Sequence, residues 1–244
     1  MKRSSSFTKD YWLVWTASLL FFVAFYTLLV PLPKYLASVG LPDWQTGFIL
    51  GAFGVASLFI RPLAGVVTVR WGSAIVMLLS TGIFIAGVMG ISLTSDPFLL
   101  FGLRILQTAG YVIFTTASTA LIAGLAGRGN ATSMLAVFGI AANLAMAFTP
   151  ALIEAVLDWL TLRGAFWLAG GFSLLAAFLA LAANRKEVVK GQSRGLRSPF
   201  NVPKGLFGPM AAAWLFGMAF GAFFLFLPML STNRALNASG LAYT

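Results

Sequence analysis

Arg104 is the charge that stands clearly inside a long apolar run, and Gln107 and Tyr111 follow it three and seven residues on. On a helix these positions share one face. A guanidinium at the centre of a membrane helix costs about 2.5–3.5 kcal/mol on insertion scales, so such a residue faces a cavity or a partner. It lies about six residues from the end of its run, so snorkelling to the interface is the alternative reading. Tyr26 and Asn143 are further polar groups within apolar runs. Asn143 needs a partner or water at that depth, either lining a path or joining helices. The chemistry these residues offer is recognition by charge and hydrogen bonding. Bond-making chemistry has little to work with. There is no Cys and no His, which excludes disulfides, thiolate catalysis and the usual zinc and haem ligand sets. No phosphate-binding loop, carboxylate pair or clustered nucleophile is present, so neither a cofactor nor an enzymatic activity is expected.

Composition dictates what must hold these groups. Of 244 residues, 59% are hydrophobic and 9% charged, against about 25% charged in soluble domains. So few charges cannot clothe a soluble surface, whereas apolar side chains can face lipid. Helix is the open option, because isolated strands in lipid leave backbone groups unpaired. The expectation is an all-α membrane protein with seven spans: 11–32, 46–67, 73–93, 98–123, 132–156, 165–183 and 206–230. Short turns separate them, at 40–43, 70–73, 94–97, 127–130 and 158–164, while 184–205 forms a long basic linker. The basic N-terminus, Met1-Lys2-Arg3, precedes an apolar run too long for a signal peptide, so that run is read as a first membrane helix.

The net charge of +10 would point to nucleic acid in a soluble chain. Here the basic residues fall in the gaps, so the charge is a topology signal, the partner is the lipid bilayer, and nucleic acid is not expected. With the N-terminus in the cytoplasm, the inner side holds Lys2, Arg3, Lys9, Arg61, Arg70, Arg128, Arg185, Lys186, Lys190, Arg194, Arg197 and Lys204. The outer side holds Lys34, Arg163 and Arg234, together with Asp43, Asp96, Glu154 and Asp158. Excess Lys and Arg marks the cytoplasmic side. The linker then lies where anionic headgroups attract it.

An internal repeat adds to this organisation. Leu20-Phe21 aligns with Leu215-Phe216, Ala24-Phe25 with Ala219-Phe220, Leu32-Pro33 with Leu227-Pro228, and Leu41 with Leu236. The register is constant, and the shared Leu-Pro falls at the same helix end in both copies. A repeat unit of six spans implies a parent of two six-helix halves. The chain then reads as one half (1–183), the linker, and the first helix of a second half whose remainder is needed for function.

Three stretches resemble the major facilitator superfamily, and more narrowly its bacterial drug-efflux-like and sugar-efflux-like members. Arg61-Pro62-Leu63-Ala64-Gly65-Val66-Val67-Thr68-Val69-Arg70-Trp71-Gly72 is similar to the family's loop after span two. Gly65, Arg70 and Gly72 fall on its pattern, Val69 stands in place of the acid, and Ser73-Ala74 in place of further basic residues. The resemblance implies a gating latch here, weakened by the missing acid; the alternative is that Arg70 is a positive-inside anchor alone. Arg104-Ile105-Leu106-Gln107-Thr108-Ala109-Gly110 resembles the Arg-x-x-Gln-Gly element. Gly139 to Pro150 is similar to the Gly- and Pro-containing helix of family antiporters, with Thr149 in place of the Gly before Pro150. Small residues there, as at Gly47, Gly51 and Gly54, are expected to pack helices closely, and Pro150 to seed a bend.

The resemblance implies a secondary transporter working by alternating access. It would export a small organic molecule, with protons as the coupling ion, from a bacterial plasma membrane. Arg104, Gln107, Tyr111, Asn143 and Tyr26 would line the substrate path, and Gly65, Arg70, Gly72 and Pro150 would serve conformational change. Tyr26, Tyr111 and the many Phe would suit drug-like molecules. No carboxylate stands inside these apolar runs, so either a coupling acid comes from elsewhere in the parent or the protein is a uniporter. A seven-helix receptor is the rival reading. Orientation is testable in this cysteine-free chain. A single cysteine at Gln192 is expected to react with a membrane-impermeant maleimide in inverted vesicles and not in intact cells; reaction in intact cells would reverse the topology.

Overall fold

A computed structural model describes residues 7–182 together with 208, 211–212 and 215–219, side chains of 127–129 excepted. Seven helices follow one another: α1 (Lys9–Tyr26), α2 (Pro31–Ser38), α3 (Asp43–Trp71), α4 (Ser73–Leu93), α5 (Pro97–Leu125), α6 (Gly127–Val156) and α7 (Leu162–Ala182). With α1 and α2 taken as one broken span, six stretches of the described residues are long and apolar enough to cross a membrane. The expected linker 184–205 lies outside the described residues. So does the expected seventh span, apart from scattered helical positions between 208 and 219.

Local chemistry explains where the helices start and stop. Thr8 caps α1 through its side chain, and the Asp96 carboxylate caps α5 by accepting from the Leu99 N–H at 2.8 Å, satisfying donors that a helix start leaves free. Pro97 then occupies the first turn of α5, where no N–H is needed. The break between α1 and α2 follows from Pro31 and Pro33, which cannot donate to the carbonyls of Thr27 and Leu29. The chain tightens there, with Leu28 N–H bonding to Phe25 O and Leu29 N–H to Tyr26 O. Gly72 reverses the chain between α3 and α4 as a single residue at φ +85°, a conformation that glycine adopts without strain.

Some segments depart from expectation. The first span continues beyond 32 as α2, because prolines in the first turn start a helix as readily as they end one. The 61–72 stretch is helical through Trp71, with Pro62 inside α3. One proline removes one hydrogen bond, and the apolar residues after it carry the helix on. The expected turn at 127–130 is the first turn of α6, and Ala126 alone parts it from α5.

α1 packs against α5, α6 and α7, α4 lies between α5 and α7, and α3 lies on α5. Lipid is as apolar as leucine, so association rests on close packing and interhelical hydrogen bonds. The tightest approach joins α4 to α5. A Cβ added to Gly87 would sit 2.6 Å from Gln107 N, and one added to Gly110 would sit 2.5 Å from Phe84 N. The backbones touch reciprocally. The expected close contacts at Gly47, Gly51, Gly54 and Gly139 are not made among the described residues, since a Cβ at any of these meets nothing within 4 Å. Above the α4–α5 contact, the fully buried Phe21 stacks on Phe114 with centroids 3.7 Å apart and tilts onto Phe84 at 4.9 Å. Aromatic donors tie the helix ends. Tyr11 Oη donates to Met134 O at 3.0 Å, Trp15 Nε1 to Val137 O at 2.9 Å, and Tyr35 Oη to Thr94 O at 3.0 Å.

The outside of the bundle is that of a membrane protein. Exposed tryptophans gather at its two ends, Trp12 and Trp71 at one, Trp44, Trp159 and Trp167 at the other, as interfacial belts do. Between them α3 exposes Val55, Leu58, Phe59 and Leu63, and α6 exposes Ile140, Leu144, Phe148 and Leu152.

Overpacking a tight contact costs about 1–3 kcal/mol. Gly87→Ala and Gly110→Ala are therefore expected to lower the melting temperature in detergent by several degrees, with Gly47→Ala and Gly139→Ala near neutral. Equal effects at all four positions would show that the α4–α5 contact is not special.

Candidate functional site

At mid-depth the bundle holds a polar cluster under an aromatic cover. Arg104 Nη1 donates to Gln107 Oε1 at 2.6 Å. Arg104 is 9% exposed and Gln107 fully buried. Phe53 of α3 lies against the guanidinium, 5.3 Å from ring centroid to Cζ, within the range of cation–π attraction. Thr108 Oγ1 bonds back to Arg104 O at 2.7 Å, satisfying its hydroxyl within the helix. The guanidinium is held at the level of Gln107 and Phe53, so it does not snorkel to the end of α5.

Two turns along the same face, Tyr111 stacks on Phe25 with centroids 3.9 Å apart and meets Phe53 at 5.7 Å. Tyr26, the last residue of α1, pairs with the Tyr111 side chain. The structure thus brings together Arg104, Gln107, Tyr111 and Tyr26. It does not bring Asn143 to them: this side chain is exposed on α6 and has no side-chain hydrogen bond among the described residues. Arg70 is exposed in the last turn of α3 and Gly72 follows at the turn, where a cation favours the helix C-terminus. Gly65 stands mid-helix with open space beside it. Pro150 is buried within a continuous α6.

Two parts of the site carry no sequence signal of their own. Phe53 and Phe25 are two among twenty-three phenylalanines. Gly87 sets the height of Gln107 by letting its backbone approach, yet nothing in a glycine-rich helix marks it out. The periodic spacing of small residues in α4 is the nearest available cue.

The electrostatics are one-sided. The described acids, Asp10, Asp43, Asp96, Glu154 and Asp158, all stand at helix ends or in turns. An ion pair joins Lys34 Nζ of α2 to Glu154 Oε1 of α6 at 3.5 Å, partly exposed, and contributes at most about 1 kcal/mol there. Among the described residues no carboxylate lies within ion-pair distance of Arg104. Arg104 Nε and Gln107 Nε2 have no hydrogen-bond partner. Unsatisfied polar atoms at this depth are costly.

A bundle of membrane-crossing helices that keeps a guanidinium, an amide and two phenols at mid-depth has the build of a transport protein. The chain belongs to the Major Facilitator Superfamily, whose family profile matches residues 3–244. It is 26% identical over 212 residues to an uncharacterized MFS-type transporter of Yersinia pestis, covering 82% of this chain and 48% of that protein. It is 24% identical over 134 residues to the uncharacterized MFS-type transporter YvkA of Bacillus subtilis, covering 55% and 30%. The fold is similar to that of the nucleoside transporter NupG, at a TM-score of 0.68 and 16% identity over 94% of this chain and 56% of that one. It is also similar to a POT family transporter solved with 5-aminolevulinic acid, at 0.65 and 16% over 95% and 48%. The chain thus spans about half the length, or less, of these proteins. The family points to transport and not to catalysis, and the seven-helix receptor reading finds no support.

The Arg104–Gln107 pair is expected to behave as a unit. Gln107→Leu strips the guanidinium of its described hydrogen bond and should destabilise the protein by about 1–3 kcal/mol. Adding Arg104→Met should cost less than the sum of the two single changes, with a coupling of about 0.5–3 kcal/mol in a denaturation cycle. Strict additivity would show that the two side chains do not support each other.

Proposed function

We propose that this chain forms the N-terminal half of a secondary transporter that exports a small organic molecule by alternating access. It would do so from a bacterial plasma membrane, with the N-terminus and the basic linker cytoplasmic. The observation that carries this reading is the Arg104–Gln107–Tyr111–Tyr26 cluster, polar groups kept at mid-depth beside the break that ends α1. Broken helices at the bilayer midplane are how such transporters form their sites. Polar groups in that position are otherwise too costly to retain.

In this reading α4 and α5 move as one block, because their backbones interlock at Gly87 and Gly110, and the block carries Arg104 and Gln107 with it. The exposed apolar faces of α3 and α6 are available to a second six-helix bundle, and a length about half that of the relatives fits such a partner. Proton coupling requires a carboxylate within the membrane, which in this reading comes from outside residues 7–182. Asn143, exposed on α6, would meet the substrate path only from the side facing that second bundle.

The test is transport in everted vesicles, using a panel of amphipathic organic compounds and the chain expressed with a C-terminal six-helix half. Wild type should accumulate at least one of them. Arg104→Ala should cut the rate at least tenfold at equal protein level. Unchanged transport in Arg104→Ala would remove the site; failure to move any compound would remove the function.

A further inference from the structure

Two arginines stand within the apolar depth of this bundle, and the described residues offer neither a carboxylate. Arg104 is the first. Its Nη1 is bonded to the neutral Gln107 Oε1, its Nε is bare, and Phe53 covers it without cancelling its charge. Arg61 is the second. Because α3 runs on to Trp71, Arg61 is not at the helix end but ten residues before it, about 15 Å along the axis at 1.5 Å per residue. Arg61 is exposed among the described residues, whereas Arg104 is buried.

A guanidinium has five N–H donors in a planar fork that matches a carboxylate with two parallel hydrogen bonds. In a water-poor interior a lone cation attracts an anion far more strongly than it does in water. A neutral ligand would leave the charge of Arg104 uncompensated, and a cationic one would be repelled. The surfaces around it are flat and apolar: Phe25, Phe53 and the ring of Tyr111.

We propose that the site recognises an organic anion, a carboxylate carried on an aromatic or otherwise apolar body, with the carboxylate on Arg104 and the body against Phe25, Phe53 and Tyr111. This rests on the transport reading above and names its substrate class. The drug-like substrate is thereby narrowed to one sign of charge.

The test uses three probes of one shape and different charge, 4-phenylbutyrate, 4-phenylbutyramide and 4-phenylbutylamine, added to the full chain in lipid nanodiscs. Thermal stability is followed by tryptophan fluorescence, with inorganic phosphate at matched ionic strength as the control for adventitious ions. The carboxylate should raise the melting temperature saturably, and the amide, the amine and phosphate should not. Half-saturation should weaken at least tenfold in Arg104→Gln, recover in part in Arg104→Lys, and stay unchanged in Arg163→Gln at the bundle end. Stabilisation by amide or amine equal to that by the carboxylate overturns the proposal in wild type alone, whatever the fate of the variants. A full carboxylate effect in folded Arg104→Gln overturns it too. Vesicle export of neutral or cationic compounds in preference to anions would sink the anion assignment and leave transport standing. Anion binding with no export of any compound would do the reverse.

Discussion

Two helices touch backbone to backbone only where neither presents a side chain, and the α4–α5 contact at Gly87 and Gly110 is of that kind. Much of the described structure depends on it. The approach sets the height of Gln107, whose amide oxygen holds the guanidinium of Arg104, and it seats Phe84 beneath Phe21 and Phe114. In lipid no hydrophobic gain draws helices together, so a contact of this closeness supplies dispersion that longer side chains would prevent. A buried arginine is thus retained on a helix anchored close beside it, at Gln107 and Gly110.

The polar cluster works by what surrounds it as much as by what it contains. Tyr111 links the levels, stacked on Phe25 from α1 and in contact with Phe53 from α3. Three helices contribute to this cluster, in which the hydrogen-bonding groups come from α1 and α5 and the flat apolar surfaces from all three. The acids are kept to helix ends, where Asp96 caps α5 and Glu154 meets Lys34. The interior is left with positive charge.

How much of this was legible in the sequence depended on whether a signal was periodic or contextual. The span count for residues 9–182 follows from length and apolarity, and α4 matches its expected limits because Gly72 and the Thr94-Ser95-Asp96 turn bound it clearly. The common face of Arg104, Gln107 and Tyr111 follows from helical spacing. The end of α3 misled because Arg70-Trp71-Gly72-Ser73 has the composition of a turn, whereas the helix runs on to Trp71 and only Gly72 turns. The Gly-x-x-x-Gly spacing at Gly47 and Gly51 misled for a similar reason: it says that close packing is allowed, not where a neighbour stands. Gly87 and Phe53 were invisible because each matters only through a residue distant in sequence. Asn143 is exposed on α6, away from the Arg104 cluster, a placement that spacing alone does not reveal.

Helix length carries a last consequence. α4 has 21 residues, about 32 Å at 1.5 Å per residue, whereas α3 and α5 have 29, about 44 Å. α4 matches a hydrocarbon core of about 30 Å without leaning. The longer pair must incline or protrude, and packing on α4 fixes how far α5 does so. α4 therefore gauges its neighbours, and a thicker bilayer would strain it first while the long helices took up the difference by standing more upright.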